Sequence, residues 1–299
     1  MTEEVKQAGL VGVVGRPNVG KSTLVNALVG HKVSIVTAKP QTTRHRIMGV
    51  LTHDAVQYVF VDTPGIHSDA PRRMNQAMNR LAESAARDAD VVLFVVQAGK
   101  WTEQDQRILD ALKRLELPLG LVINKVDLLK DREQLLPFIA EMQQRAAFAF
   151  VVPLSASKQD NLAPLLDEIR HHLPESPAFF PQEQYSDQNE RILAAEIIRE
   201  KLMLRVHQEV PYALAVQIES MERVDGQLKL GAIIWIEREG QKGIVIGKGG
   251  KVLKDIGTAA RKELVEQFGC RVHLDLWVKV RPGWPDDPRL LGSMGISSE

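Results

Sequence analysis

The sequence predicts an α/β domain, a mixed and mostly parallel sheet with helices on both faces, followed by a smaller α+β domain. Apolar strand-like runs alternate with helical stretches up to about residue 172, a proline-rich segment then breaks the texture, and a differently ordered set of elements follows. The 299 residues suit about two domains, since domains usually run roughly 100–200 residues.

The runs Leu10–Val14, Val56–Val61, Val91–Val96, Leu119–Ile123 and Phe148–Val152 are apolar and rich in β-branched residues. Strands covered on both faces have this composition, as in a parallel sheet between helix layers. Within Ile47–Val61 two strand-like runs flank His53-Asp54, which allows a hairpin and one antiparallel edge strand. At 173–187, three prolines within eight residues discourage regular structure and read as a linker. Asn189–Gln208 reads as an amphipathic helix with Ile192, Ala195, Ile198, Leu202 and Val206 on one side. Strands at Ala213–Met221 and Leu228–Glu237 follow, then a glycine-rich turn at 247–250, within a segment Ile244–Lys251 expected between an apolar strand and a helix. A helix at Val252–Phe268 and a strand at Arg271–Val280 complete the module, whose overall order is α-β-β-α-α-β. The expected boundaries are 8–172, a linker at 173–187, a second domain at 188–285 and a tail at 286–299.

The 38 basic and 38 acidic residues cancel, so any affinity for a polyanion must be local. The single cysteine, Cys270, excludes an internal disulfide framework and suits a reducing compartment. No apolar run approaches the ~20 residues of a membrane span, and the N-terminus lacks a secretory core, so a cytoplasmic address is expected. His31, His45, His53, His67, His171 and His172 are not spaced as a metal site. Trp235 and Trp277 fall in strand patterns and are expected in a core, while the role of Trp284 stays open.

Gly15-Arg16-Pro17-Asn18-Val19-Gly20-Lys21-Ser22, continued by Thr23, matches the phosphate-binding loop G-x-x-x-x-G-K-[ST]. It lies between an apolar strand and a helix, where inward-facing amides and the helix dipole favour anions. Lys21 is expected on the β- and γ-phosphates and the Ser22 hydroxyl on Mg2+. Asp62-Thr63-Pro64-Gly65 ends a strand, where the aspartate can reach Mg2+ through water and the Gly65 amide the γ-phosphate. Asn124-Lys125-Val126-Asp127 ends another, and the Asp127 carboxylate can accept from N1–H and the exocyclic amine of guanine; adenine presents a different pattern. Ser155-Ala156-Ser157 closes the last strand, where a backbone amide could meet the guanine O6. Each tetrad or triplet alone is a common turn; four in order at strand C-terminal ends point to a nucleotide site.

These four segments resemble the first, third, fourth and fifth motifs of translation-factor-class GTPases. The resemblance implies a GTP/GDP-binding and GTP-hydrolysing domain of the P-loop GTPase fold. It also implies a threonine that closes over Mg2+ and the γ-phosphate; Gln41-Thr42-Thr43-Arg44 fills that interval, with Thr43 favoured over Thr42. Lys21, Thr43 and Gly65 are thus the expected catalytic set. Ile66 stands where many small GTPases carry a water-orienting glutamine, which implies slow hydrolysis unless another group helps. In related GTPases with an apolar residue there, a loop asparagine helps to hold a potassium ion, and Asn18 is the candidate. Segment 66–80, with Arg72, Arg73 and Arg80, reads equally as a switch helix or a solvated one.

Gly247-Lys248-Gly249-Gly250-Lys251 resembles the GXXG loop of KH domains, which brings backbone close to single-stranded nucleic acid. The element order is that of the type II KH fold, and residues 241–281 carry nine Lys or Arg against four Asp or Glu. The domain pair is similar to the Era family of bacterial ribosome-assembly GTPases, most particularly at Gln41–Arg46 and Gly243–Gly250. That resemblance implies binding near the 3′ end of small-subunit ribosomal RNA, action in maturation of the small ribosomal subunit, and peripheral inner-membrane association; a monomer is expected. A signalling switch read by a protein partner, or an ATPase with a nucleic-acid arm, are the rival readings of the residues alone.

Overall fold

The structure is a computed structural model and describes residues 4–39, 42–65, 73–206 and 214–294. Gln41, Ile66, His67, Arg72 and Ala213 lie outside the described residues. The chain divides into two compact units, Met1–Ala70 with Met78–Asp187, and Pro71–Ala77 with Gln188–Glu299.

In the first unit the strands are β1 (Gln7–Val14), β2 (Ile47–His53), β3 (Val56–Asp62), β4 (Val91–Gln97), β5 (Leu119–Asn124) and β6 (Phe150–Pro153). They pair in the order β2-β3-β1-β4-β5-β6, with only β2 antiparallel to its neighbour. Asp54 and Ala55 both take positive φ, 48° and 60°, which is how a two-residue hairpin matches the strand twist.

Alternation along the strands splits the interior into two cores. Val91, Leu93 and Val95 face α1 (Lys21–Val29) and α5 (Leu162–Arg170), packing with Leu24, Leu28, Leu165 and Ile169. Val92, Phe94 and Val96 face α3 (Glu103–Leu112) and α4 (Leu135–Arg145), packing with Ile108, Leu109, Phe138 and Met142. Ala86, from α2 (Arg73–Arg87), joins that second core. All the motif segments therefore emerge at one end of the sheet, the C-terminal end of its parallel strands.

The segment expected as a linker is strapped to the first unit. The buried Gln57 side chain accepts from Phe179 N (2.8 Å) and Phe180 N (2.9 Å) and donates to Phe180 O (2.9 Å). Further on, Val50 N donates to Tyr185 O, and Met48 N donates to the Asp187 carboxylate at 3.0 Å. Prolines prevent a regular ladder, yet side chains and isolated bridges satisfy the same backbone groups.

The second unit follows α6 (Glu190–Arg205), β7 (Leu214–Val224), β8 (Gln227–Ile236), α7 (Glu239–Ile246), α8 (Lys251–Phe268) and β9 (Arg271–Val280). β8 is central, antiparallel to β7 and parallel to β9. Its residues Leu228, Leu230, Ala232, Ile234 and Ile236 pack on Ile197, Ile198 and Leu202 of α6 and on Ile256, Ala260 and Leu264 of α8.

Four expectations are corrected here. Ile244–Ile246 is the end of helix α7, because Gln241 Oε1 accepts from Glu237 N and Arg238 N and turns the chain into a helix, overriding strand propensity. The buried side of α6 includes Ala194 and Ile197 beside the expected Ile198 and Leu202, with Ala195 partly buried against the core and Ile192 outside it, and it also carries the Glu196–Arg199 ion pair at 2.5 Å, which apolar spacing alone does not show. Trp277 is 45% exposed and Trp235 is half-buried with its Nε1 donating to Gln217, so neither is a core residue. The expected tail instead forms α9 (Pro288–Ser293), N-capped by Asp287, and Trp284 beside it is fully buried.

Candidate functional site

Between β1 and α1 the chain curls through residues 15–20. Gly20 has φ 102°, and a side chain there would run into the Asn124 amide. Lys21 is buried and its Nζ donates to Gly15 O (3.0 Å) and Arg16 O (3.2 Å). Burial chiefly, with Arg16 adding, lowers its pKa to about 8, while Asp62 opposes the shift. Val19 is buried and offers its carbonyl to Asn124 Nδ2 at 2.9 Å. Asn18, at φ 64°, donates from Nδ2 to Ala38 O at 2.9 Å. Arg16 turns its guanidinium away to Asp105 of α3, so only its main chain belongs to the cradle. Pro17, Asn18, Gly20, Lys21, Ser22, Thr23, Thr43 and Gly65 line one cleft.

At one side of that cleft the Ser22 and Thr43 hydroxyls lie 2.8 Å apart. Thr42 is turned elsewhere, its hydroxyl engaged with Thr37 Oγ1 (2.7 Å) and Lys39 O (2.6 Å). Asp62 is fully buried, and neither carboxylate oxygen has a hydrogen-bond partner among the described residues. Burial pushes its pKa up and Lys21 pulls it back. A buried carboxylate near the Ser22 hydroxyl, which itself meets that of Thr43, is a hard-oxygen donor set that fits Mg2+. Thr63 donates to Val13 O at 2.9 Å and so fastens β3 to β1 rather than facing the cleft. Gly65 approaches the loop closely: a Cβ there would lie 2.8–3.0 Å from Pro17 atoms, main chain included.

Asn124 joins the three segments at the other end. It holds Val19 O, and its Oδ1 accepts from Lys125 N (2.7 Å) and Ala156 N (3.0 Å). Lys125, in the left-handed region at φ 65°, reaches Asn18 O at 2.6 Å. Asp127 is exposed and accepts from Ser155 Oγ at 2.5 Å. Ser157 Oγ lies 3.4 Å from Ser155 Oγ. Asp127 is thus oriented from behind with its face left open.

In the second unit, residues 247–250 join α7 to α8. Gly247 takes φ 74° and its Cβ position is filled by Val252, while side chains at Gly249 and Gly250 would meet open space. Lys248 and Lys251 are exposed. Open backbone flanked by two ammonium groups is suited to phosphodiester oxygens. Beside it runs a groove lined by Leu253, Lys254, Gly257 and Arg261 of α8 and Leu274 and Leu276 of β9.

Residues 10–125 match the family described as 50S ribosome-binding GTPase, and residues 209–285 match the KH domain family. GTPase Era of Marinobacter nauticus is 48% identical over 291 residues, 97% of this chain and 95% of that protein. GTPase Era of Xanthomonas oryzae is 47% identical over 99% of both chains. The chain belongs to the GTPase Era family. It is a GTPase with a C-terminal KH domain. Solved Era structures agree closely in fold: one from Aquifex aeolicus bound to GDP and AlF4− has a TM-score of 0.94 at 39% identity, covering 98% of this chain and all of that one. An Era complex with MgGDPNP and nucleotides 1506–1542 of 16S ribosomal RNA gives 0.95 at 39% identity with the same coverage.

Sequence reasoning missed Asp105 and Gln57. The spacing Thr102-x-x-Asp105 is a visible capping-box signal, but nothing local pairs it with Arg16.

Proposed function

We propose that this Era-family GTPase binds the 3′ region of small-subunit ribosomal RNA through residues 247–251 and acts in assembly of the small ribosomal subunit, with its nucleotide state governing the grip. The observation that carries the reading is the relative solved with MgGDPNP and 16S nucleotides 1506–1542, which aligns over 98% of this chain.

In the G domain, the 15–20 amides and Lys21 bind the triphosphate, and Asp127, oriented by Ser155, selects guanine. Ser22, Thr43 and, through water, Asp62 would hold Mg2+, which supplies charge neutralisation at the phosphate oxygens. Thr43 is preferred to Thr42 because its hydroxyl meets that of Ser22. Thr43 and the Gly65 amide respond to the γ-phosphate, and its loss frees the segments that carry them. Asn18 Oδ1 is the group for a potassium ion; hydrolysis equal in potassium and sodium, and unchanged in Asn18→Ala, would discard that role. The protein works in the cytoplasm as a monomer with peripheral contact to the inner membrane; among the described residues no helix is long and apolar enough to cross a membrane.

The test is binding of a 16S 3′-end RNA to wild type and Gly249→Asp. The variant, placing a carboxylate in the open loop, should lose on the order of 100-fold affinity, and wild-type binding should fall steeply with salt. Undiminished binding by the variant removes the KH reading. Crosslinks in cells falling on large-subunit RNA would favour the partner named in the first family's description.

A further inference from the structure

The second residue of the phosphate loop is fastened to a helix that carries none of the nucleotide motifs. Arg16 Nε donates to both carboxylate oxygens of Asp105, at 3.1 and 3.0 Å. Asp105 is fully buried in the first turn of α3. Its orientation is fixed independently, because Oδ2 also accepts from Thr102 N (3.0 Å) and Thr102 Oγ1 (2.7 Å). Among the described residues Asp105 is the sole hydrogen-bond partner of the guanidinium, whose NH2 nitrogen is buried without one. A guanidinium with a buried nitrogen depends on its counter-charge, and among the described residues Asp105 is the carboxylate paired with Arg16.

The other end of Arg16 is functional. Its main-chain carbonyl, with that of Gly15, seats Lys21 Nζ. We propose that Asp105 is a positioning residue for the nucleotide: from α3 it fixes Arg16, and through the Arg16 main chain it sets the first turn of the phosphate loop and the seat of Lys21. The carboxylate also balances the Arg16 charge, which lies near enough to Lys21 and Lys125 to disfavour both ammonium groups, second to burial in the case of Lys125 and after burial and Asp62 in that of Lys21. The loop contacts formed with diphosphate and triphosphate both depend on this seat, so binding of GDP and GTP should suffer together, with a smaller fall in turnover because Lys21 also meets the γ-phosphate.

The inference rests on the phosphate loop holding the nucleotide as proposed above. Calorimetric titration of GDP and of a non-hydrolysable GTP analogue into wild type, Asp105→Asn, Arg16→Gln and Thr102→Ala tests it, with kcat and KM measured alongside. Asp105→Asn and Arg16→Gln should each weaken both nucleotides on the order of tenfold, raise KM in proportion and leave kcat within about threefold. The double variant should be no worse than either single. Thr102→Ala, which removes the cap acceptor for Asp105 N and one of the donors to the Asp105 carboxylate but leaves Thr102 N and the Arg16–Asp105 bond, should lower Tm with a smaller loss of affinity than Asp105→Asn. Unchanged affinity in folded Asp105→Asn overturns the proposal, as does an equal loss in Thr102→Ala. Should Asp105→Asn not fold, Arg16→Gln decides alone, unchanged affinity again being the contrary result. Failure of wild type itself to bind would fault the site assignment instead.

Discussion

Buried against the Gly15 and Arg16 carbonyls, Lys21 is lowered to a pKa of about 8 from the ordinary 10.5. The unfolded chain therefore holds the extra proton across the window from about 8 to 10.5, and the nucleotide-free fold gains stability from this group as pH rises through it. A bound polyphosphate restores the charged form, so GDP binding should take up a proton on the alkaline side, about half a proton at pH 8 and more at pH 9. Titrations in buffers of different ionisation heat measure this; uptake that is flat from pH 7 to 9 contradicts it. Asp127 gives a second prediction. Its carboxylate stands open and oriented by Ser155, so Asp127→Asn should lose at least about 100-fold in GTP affinity and gain preference for xanthosine triphosphate. Competition binding reads both. At this scale the motif segments proposed for the nucleotide could be picked out because each is contiguous and its chemistry follows from residue type. Arg16–Asp105 could not be, since 89 residues separate the partners and no local pattern joins them.

Strands and helices of the first unit follow from apolar runs buried on both faces, which leave little room for another assignment. Where the reading failed, side-chain hydrogen bonds had intervened. Gln241, by accepting from Glu237 N and Arg238 N, caps the start of α7, which carries the Ile244–Ile246 run into a helix where propensity favours strand. Gln57 turns a proline-rich stretch into a fixed strap by serving the Phe179 and Phe180 amides and the Phe180 carbonyl. Gln57→Ala would leave those groups unpaired and should cost about 1–3 kcal/mol, seen as a lower urea midpoint at unchanged m. A midpoint shift within error would show that the strap is held by its other contacts, such as Tyr185 stacked on His31 at 4.6 Å.

For the whole molecule, two units with separate cores carry two kinds of chemistry, a phosphate cradle in one and an open glycine loop between helices in the other. The change of texture at 173–187 and the net +5 in residues 241–281, within a chain of zero net charge, are the signs of this division in the sequence, although 173–187 groups with the first unit. The exposed placement of Trp277 was not legible, because period-2 patterning marks strands without saying which face is covered. The central claim is that guanine nucleotide bound in the first unit governs the RNA grip of the second. The most direct measurement is the affinity for a 16S 3′-end RNA with magnesium and a GTP analogue against GDP. The account predicts binding on the order of tenfold tighter with the GTP analogue, and loss of RNA binding in Gly249→Asp with either nucleotide; equal affinity in the two nucleotide states would contradict it.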